Sequence, residues 1–336
     1  MLRCLPLVLA LLFCGHAPRA AAKEPKRPAL PEGAGLSKLH KGDRGIARHK
    51  SVLLAESFED GALKDLAKRW SEVKNPKGTV LAFVQDVPGG ARGKRSLRVT
   101  ATVGENTGGH VYTTYPQQEC VFLRFYVKFL DAEYWHHFVG LGGYRPKTRW
   151  PQGHAGTKPN GDERFTVAIE PHGQNGRHKP PGIWSFYNYW CEMKPSARGK
   201  HWGNGLLAES PPKVVVGRWQ CVEVMVKLNS KPELRDGELA FWLDGRLQAH
   251  FVKGVRRGPW TGGGFQLRRE GGEPFEGLRW RNDERLKANF VVLSSYVTAG
   301  AMRRNRVKDP SGRVLRVLFD NVVVARQYVG PLAREP

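Results

Sequence analysis

Tyr187 and Tyr189 stand one residue apart in a chain of 336 residues. They lie in a stretch from Trp135 to Trp202 that also carries His136, His137, His154, His172, His178 and His201. A period of two puts Ser185, Tyr187 and Tyr189 on one side of a strand and Trp184, Phe186, Asn188 and Trp190 on the other. A phenol is a weak base at its ordinary pKa of about 10. Nearby cations favour the phenolate and would make such a side chain a usable proton acceptor. Arg124, Tyr126 and Lys128 alternate with Val121, Leu123, Phe125, Val127 and Phe129, so they form the outward face of another strand. Arg164 adds a further cation. Phenols, an imidazole and fixed cations suit a reaction that removes a proton beside a carboxylate, neutralises that carboxylate and protonates a leaving oxygen. Cross-strand aromatic packing is the competing reading of the tyrosine pair. His136-His137 precedes Phe138–Gly143 at a strand edge, and alternation turns one of the two toward the tyrosines. The other four histidines read as solvated loop residues, since no pair has helical i, i+4 spacing.

Strands must position these side chains. From Val52 onward the chain reads as short alternating segments punctuated by Gly, Pro, Asn and Asp. Besides Val121–Phe129, strands are expected at Arg164–Glu170, Ile183–Trp190, Gln220–Asn229, Glu238–Leu243, Asn289–Ser295 and Val314–Ala325. Asp236-Gly237 and Asp244-Gly245 are tight-turn signals around one of them. Only Ala62–Trp70 reads as helical. The expected architecture is all-β: a two-sheet antiparallel β-sandwich of about ten to fourteen strands, a concanavalin-like jelly roll spanning residues 51–332. Residues 1–22 read as a signal peptide, with a basic start, an apolar run Leu5–Phe13 and Ala20-Ala21-Ala22 before Lys23. That run is too short to span a bilayer. Phe13 before Cys14 disfavours lipidation. Residues 23–50 read as a basic, Pro- and Gly-rich flexible linker.

Composition is that of a globular protein, with 40% hydrophobic, 10% aromatic and 25% charged residues. Charge is the unusual feature: 54 Lys+Arg against 31 Asp+Glu give +23. Such a field favours polyanionic partners. For a secreted or periplasmic protein these are acidic polysaccharides rather than nucleic acid or membrane. Cys120, Cys191 and Cys221 remain after the leader, too few for a disulfide scaffold. They lack zinc-ligand spacing.

The order of motifs points to a family. A Val-Lys-Phe strand (127–129) is followed by His-Phe-Val-Gly-Leu-Gly-Gly (137–143), Phe-Tyr-Asn-Tyr-Trp (186–190) and Gly-Arg-Trp-Gln (217–220). Then come Val-Lys-Leu-Asn (226–229), Asp-Gly-Glu-Leu-Ala-Phe-Trp-Leu-Asp-Gly (236–245) and Phe-Asp-Asn-Val-Val-Val-Ala (319–325). Across about residues 52–330 this resembles the alginate-lyase-like polysaccharide lyases of family fourteen and, more loosely, other concanavalin-like jelly rolls. The resemblance implies cleavage of a uronate-containing polysaccharide by β-elimination. It implies catalytic or substrate-holding roles for Tyr187 and Tyr189, and for His137 where the family has a lysine. The family's Ser-x-Arg element falls at Thr166 and Ala168, so its arginine is absent. Arg164 or Arg124 is the expected substitute. The expected site is thus Tyr187 or Tyr189 as general base/acid with His137 as partner. Arg124, Tyr126, Lys128, Arg164 and Thr166 would hold the substrate.

Three other readings compete. A non-catalytic carbohydrate-binding protein of the same fold would use the same aromatic and basic surface. A glycoside hydrolase needs two carboxylates a few ångströms apart. The chain has no Glu-x-Asp-x-x-Glu run, and Glu170 and Glu223 stand alone. Single-stranded nucleic acid would suit interleaved Arg and aromatics, but export and the lack of a recognition motif oppose it. No cofactor is required, and a monomer is expected. Glu56, Glu59 and Asp320 would suit a structural calcium ion if they meet, with turn and surface carboxylates as the alternative.

Overall fold

The computed structural model describes residues 29–148, 154–196, 199–254, 257–261 and 263–333. The leader, Cys14 included, lies outside them. In chain order the strands are β1 (Val52–Glu56), β2 (Glu72–Lys74), β3 (Leu81–Val84), β4 (Ser96–Thr102), β5 (Gly108–Gln118), β6 (Cys120–Phe129), β7 (Val139–Tyr144), β8 (Arg164–His172) and β9 (Ile183–Tyr189). They continue as β10 (Asn204–Leu207), β11 (Gln220–Lys227), β12 (Glu238–Leu243), β13 (Arg246–Phe251), β14 (Arg257–Gly258), β15 (Trp260–Thr261), β16 (Gly264–Gln266), β17 (Glu273–Pro274), β18 (Ala288–Tyr296) and β19 (Val314–Ala325). The only α-helix among the described residues is α1 (Ala299–Arg304). The expected helix at Ala62–Trp70 is a 3-10 turn, Leu63–Lys68. No described helix is long and apolar enough to cross a membrane.

Two large sheets form a β-sandwich jelly roll. One runs β13-β12-β11-β6-β19-β4-β3, with β1 also on β19. The other runs β15-β16-β10-β9-β8-β7-β18-β5-β2. Pairing is antiparallel except for the parallel β10–β16 contact. The expected alternation holds where the sheets face each other. Val121, Leu123, Phe125, Val127 and Phe129 of β6 are fully buried, as are Phe165, Val167 and Ile169 of β8. Trp184 and Phe186 of β9 join the same core. Phe129 is its aromatic hub, with Trp135 at 4.8 Å and Phe138 at 5.2 Å between ring centroids. Asp244 (φ 51°) and Gly245 (φ 77°) make the tight β12–β13 hairpin, where left-handed backbone suits Gly. Asp236-Gly237 forms no such hairpin. Asp236 instead accepts from Ser230 N and Oγ.

Of the segment expected to be a flexible linker, residues 23–28 lie outside the described residues and 29–50 pack on the outer face of the first sheet. Leu36 and Ile46 are buried against Val323, Ala325 and Val329. Two isolated apolar anchors have no periodicity, so they carried no signal in the sequence. Asp43 completes the contact with both carboxylate oxygens 2.7 Å from Arg124 Nη2.

That contact corrects the expected substrate clamps. Arg124 is fully buried, and its Nη1 donates to Asn321 O at 2.7 Å. Tyr126 is 8% exposed and its hydroxyl accepts from Leu332 N. Lys128 pairs with Asp86 at 2.7 Å. All three face outward from the first sheet, whereas Tyr187 and Tyr189 face outward from the second. The two sets lie on opposite sides of the sandwich and cannot hold one substrate.

Candidate functional site

The second sheet gathers its polar side chains by register. Tyr187 pairs with Ala168, Ala168 with Gly140 and Gly140 with Val292. One step along, Tyr189 pairs with Thr166, Thr166 with Gly142 and Gly142 with Phe290. Small residues on β7 and β8 therefore lie between the tyrosines and β18, whose Phe290 ring leans over Gly142. Three inter-strand steps make this trough roughly 14 Å across. Gly203 bounds it beyond Tyr187, where a Cβ would come within 2.5 Å of the tyrosine ring.

At one end the alternation of β18 continues to Tyr296, which bridges to His137. His136 and His137 stack at 4.1 Å, and His137 also stacks on Tyr296 at 5.8 Å. Tyr187 lies 5.1 Å from the His137 ring. His137 Nδ1 is 3.4 Å from Oε2 of Glu170, a carboxylate only 3% exposed, while 38% of the His137 side chain remains open. The carboxylate favours the Nδ1–H tautomer and leaves Nε2 for a ligand. The Tyr187 and Tyr189 hydroxyls are 3.3 Å apart, and both side chains are half-buried.

The electrostatics differ from the expectation that cations would lower the phenols. Burial pushes the Tyr187 phenol well above its usual range, and the neighbouring Tyr189 and Glu170 add to the rise. Tyr187 is thus held protonated. Burial, His137 and Arg304 together depress His136 to about 3, keeping it neutral. Burial likewise lowers His172, on the same face of β8.

Of the expected substrate-holding residues, Thr166 and Arg164 share the tyrosines' face. Thr166 is half-buried on the trough floor. Arg164 stacks over Tyr189 at 5.8 Å, but its guanidinium is buried, donates to Thr157 O and sits 3.6 Å from Glu163. It shapes the tyrosine rather than offering a free charge. The sequence expectation does not place Glu170, Tyr296 or Arg304 in this site. Glu170 was findable, because it lies four residues after Thr166 on the same face of one strand.

Of the calcium candidates, Glu59 lies close enough to Asp320 to oppose its ionisation. Glu56 is consumed by Phe58 N, Arg69 and Trp70 Nε1. Glu59 accepts from Lys94 N and Arg95 N. Among the described residues no group of three His, Cys, Asp or Glu is arranged to hold a metal ion. Cys120, Cys191 and Cys221 are free thiols.

Asp320 is 1% exposed, and burial raises it to about 8 despite a hydrogen bond from Asn321 N. Below pH 4 both folded and unfolded states are protonated; above it only the unfolded state ionises, so this residue costs stability progressively up to pH 8. Asp320→Asn should therefore raise the thermal midpoint more at pH 8 than at pH 4. An equal change at both pH values would refute a buried, protonated Asp320.

No protein-family model and no curated protein matches this sequence. Solved structures do match the fold. Alginate lyase vAL-1 from Chlorella virus is 14% identical, with TM-score 0.50 over 81% of this chain and 100% of that one. A mutant of alginate lyase Aly36B in complex with an alginate trisaccharide is 15% identical, with TM-score 0.50 over 83% of this chain and 100% of that one. At these identities the likeness is one of fold.

Proposed function

We propose that the protein is an exported polysaccharide lyase that cleaves a uronate-containing polysaccharide by β-elimination. The supporting observation is one outward sheet face on which a partly exposed imidazole, held by a buried carboxylate, stands 5.1 Å from a tyrosine whose hydroxyl meets a second tyrosine. Solved alginate lyases share the sandwich, and the overall +23 charge suits an anionic polymer.

In this mechanism His137 Nε2 takes the C5 proton of the uronate. Glu170 stabilises the imidazolium that forms. Electrons from the broken C5–H bond form the C4–C5 double bond as the C4–O4 bond breaks. The Tyr187–Tyr189 hydroxyl pair donates a proton to the departing O4. A phenol kept protonated by burial suits this acid role better than the base role. Both tyrosines and His137 therefore keep their place in the site, with the base assigned to the histidine.

The test is a panel of alginate, glucuronan, pectate and glycosaminoglycans followed at the absorbance of unsaturated uronate ends. Product from at least one polymer is expected. Binding without product would mark a non-catalytic carbohydrate-binding protein, and neither binding nor product would overturn the reading. Glu170→Gln should lower kcat about 10–100-fold with a smaller change in KM, because it removes charge stabilisation of the imidazolium.

A further inference from the structure

With Arg124 and Lys128 on the far side of the sandwich and Arg164 buried, none of the expected cations is presented to the trough. Yet an elimination beside a carboxylate builds negative charge on that group, and the site must answer it. The helix α1, which follows Tyr296 directly, brings a different arginine to the place. Arg304 ends this helix and is exposed. Its Nη2 lies 2.9 Å from His136 Nε2. A guanidinium only donates, so His136 Nε2 is the acceptor, and the neutral imidazole carries its proton on Nδ1. That nitrogen is 3.5 Å from Thr298 Oγ1, the N-cap of the same helix. His136 is thereby engaged by both ends of α1 and stacked on His137. Arg304 stands one imidazole away from the proposed base. Among the described residues no carboxylate pairs with it.

We propose that Arg304, held by the neutral imidazole of His136, receives the uronate carboxylate at this site. The proposal rests on reading the trough as a uronate site, and it names the charged contact that selects an acidic over a neutral sugar. The remaining donors of the guanidinium fork match a carboxylate in two-point geometry, which a lysine cannot reproduce. His136 acts as a positioning residue. By accepting one N–H without adding charge, it directs the fork and leaves its positive charge uncompensated.

The experiment measures calorimetric affinity for tetrasaccharides of alginate, glucuronan and pectate, and for their carboxyl-reduced neutral forms. Wild type should bind at least one acidic probe more tightly than its neutral form. Arg304→Gln should weaken that acidic probe about 10–100-fold and leave the neutral one unchanged. Arg304→Lys should fall between. Thermal midpoints of both variants should match wild type, since the side chain is exposed. If Arg304→Gln binds the acidic probe as wild type does, the Arg304 assignment is overturned while the uronate site stands. If wild type fails to prefer any acidic probe, the uronate reading itself fails and takes this assignment with it.

Discussion

His137→Ala should lower the rate of double-bond formation about 10²–10⁴-fold, the range ascribed to a positioned general acid or base. Substrate affinity should change far less, because the imidazole acts on one proton in the transition state. Tyr187→Phe combined with Tyr189→Phe should cause a loss of similar size by removing both hydroxyls. Each single replacement leaves one hydroxyl in place and should cost less than the pair. The tyrosine pair also carries a pH signature. Burial disfavours the Tyr187 phenolate, so its acid form persists above the ordinary phenol range of about 10. The alkaline limb of kcat/KM should therefore not fall at the ordinary phenol position. Unchanged rates in His137→Ala, or in the double tyrosine variant, would remove the catalytic assignment.

The largest expected effect on stability lies on the other face. Burial opposes the charge of Arg124, and Asp43, with smaller contributions from Cys221 and Tyr126, offsets that opposition. Asp43→Ala would leave this fully buried cation without its carboxylate, a change that costs about 3–5 kcal/mol in comparable sites. It also removes the bond from Asn321 Nδ2 to Asp43. A denaturant midpoint should fall accordingly. Replacing both partners, Asp43→Asn with Arg124→Met, should restore part of the loss, because the buried cation is gone while Glu223 and Asp320 lose its charge. The proposed catalytic residues lie on the opposite sheet, so any active fraction that stays folded should keep its kcat. A change below about 1 kcal/mol in Asp43→Ala would show that the ordered N-terminal segment is not fastened through this pair.

These two sites show how unevenly the architecture could be read in advance. Strand faces were legible. The alternation of Val121–Phe129 placed five residues in the core, and that of Ile183–Trp190 placed both tyrosines on one exterior face. The N-terminal segment reads as a linker because Leu36 and Ile46 are single anchors in a basic, Gly-rich stretch. Their burial depends on a surface offered by β19, nearly three hundred residues later.

Chain chemistry alone determined an all-β protein, the shared outward side of Tyr187 and Tyr189, and a basic character suited to acidic polymers. A two-residue repeat reports which way a side chain points relative to its own sheet. It contains no information about which sheet that is. Only long-range pairing put β6 and β9 in different layers and separated Arg124, Tyr126 and Lys128 from the tyrosines. The same folding brought Glu170, Tyr296 and Arg304 to His136 and His137 across separations that local pattern cannot span.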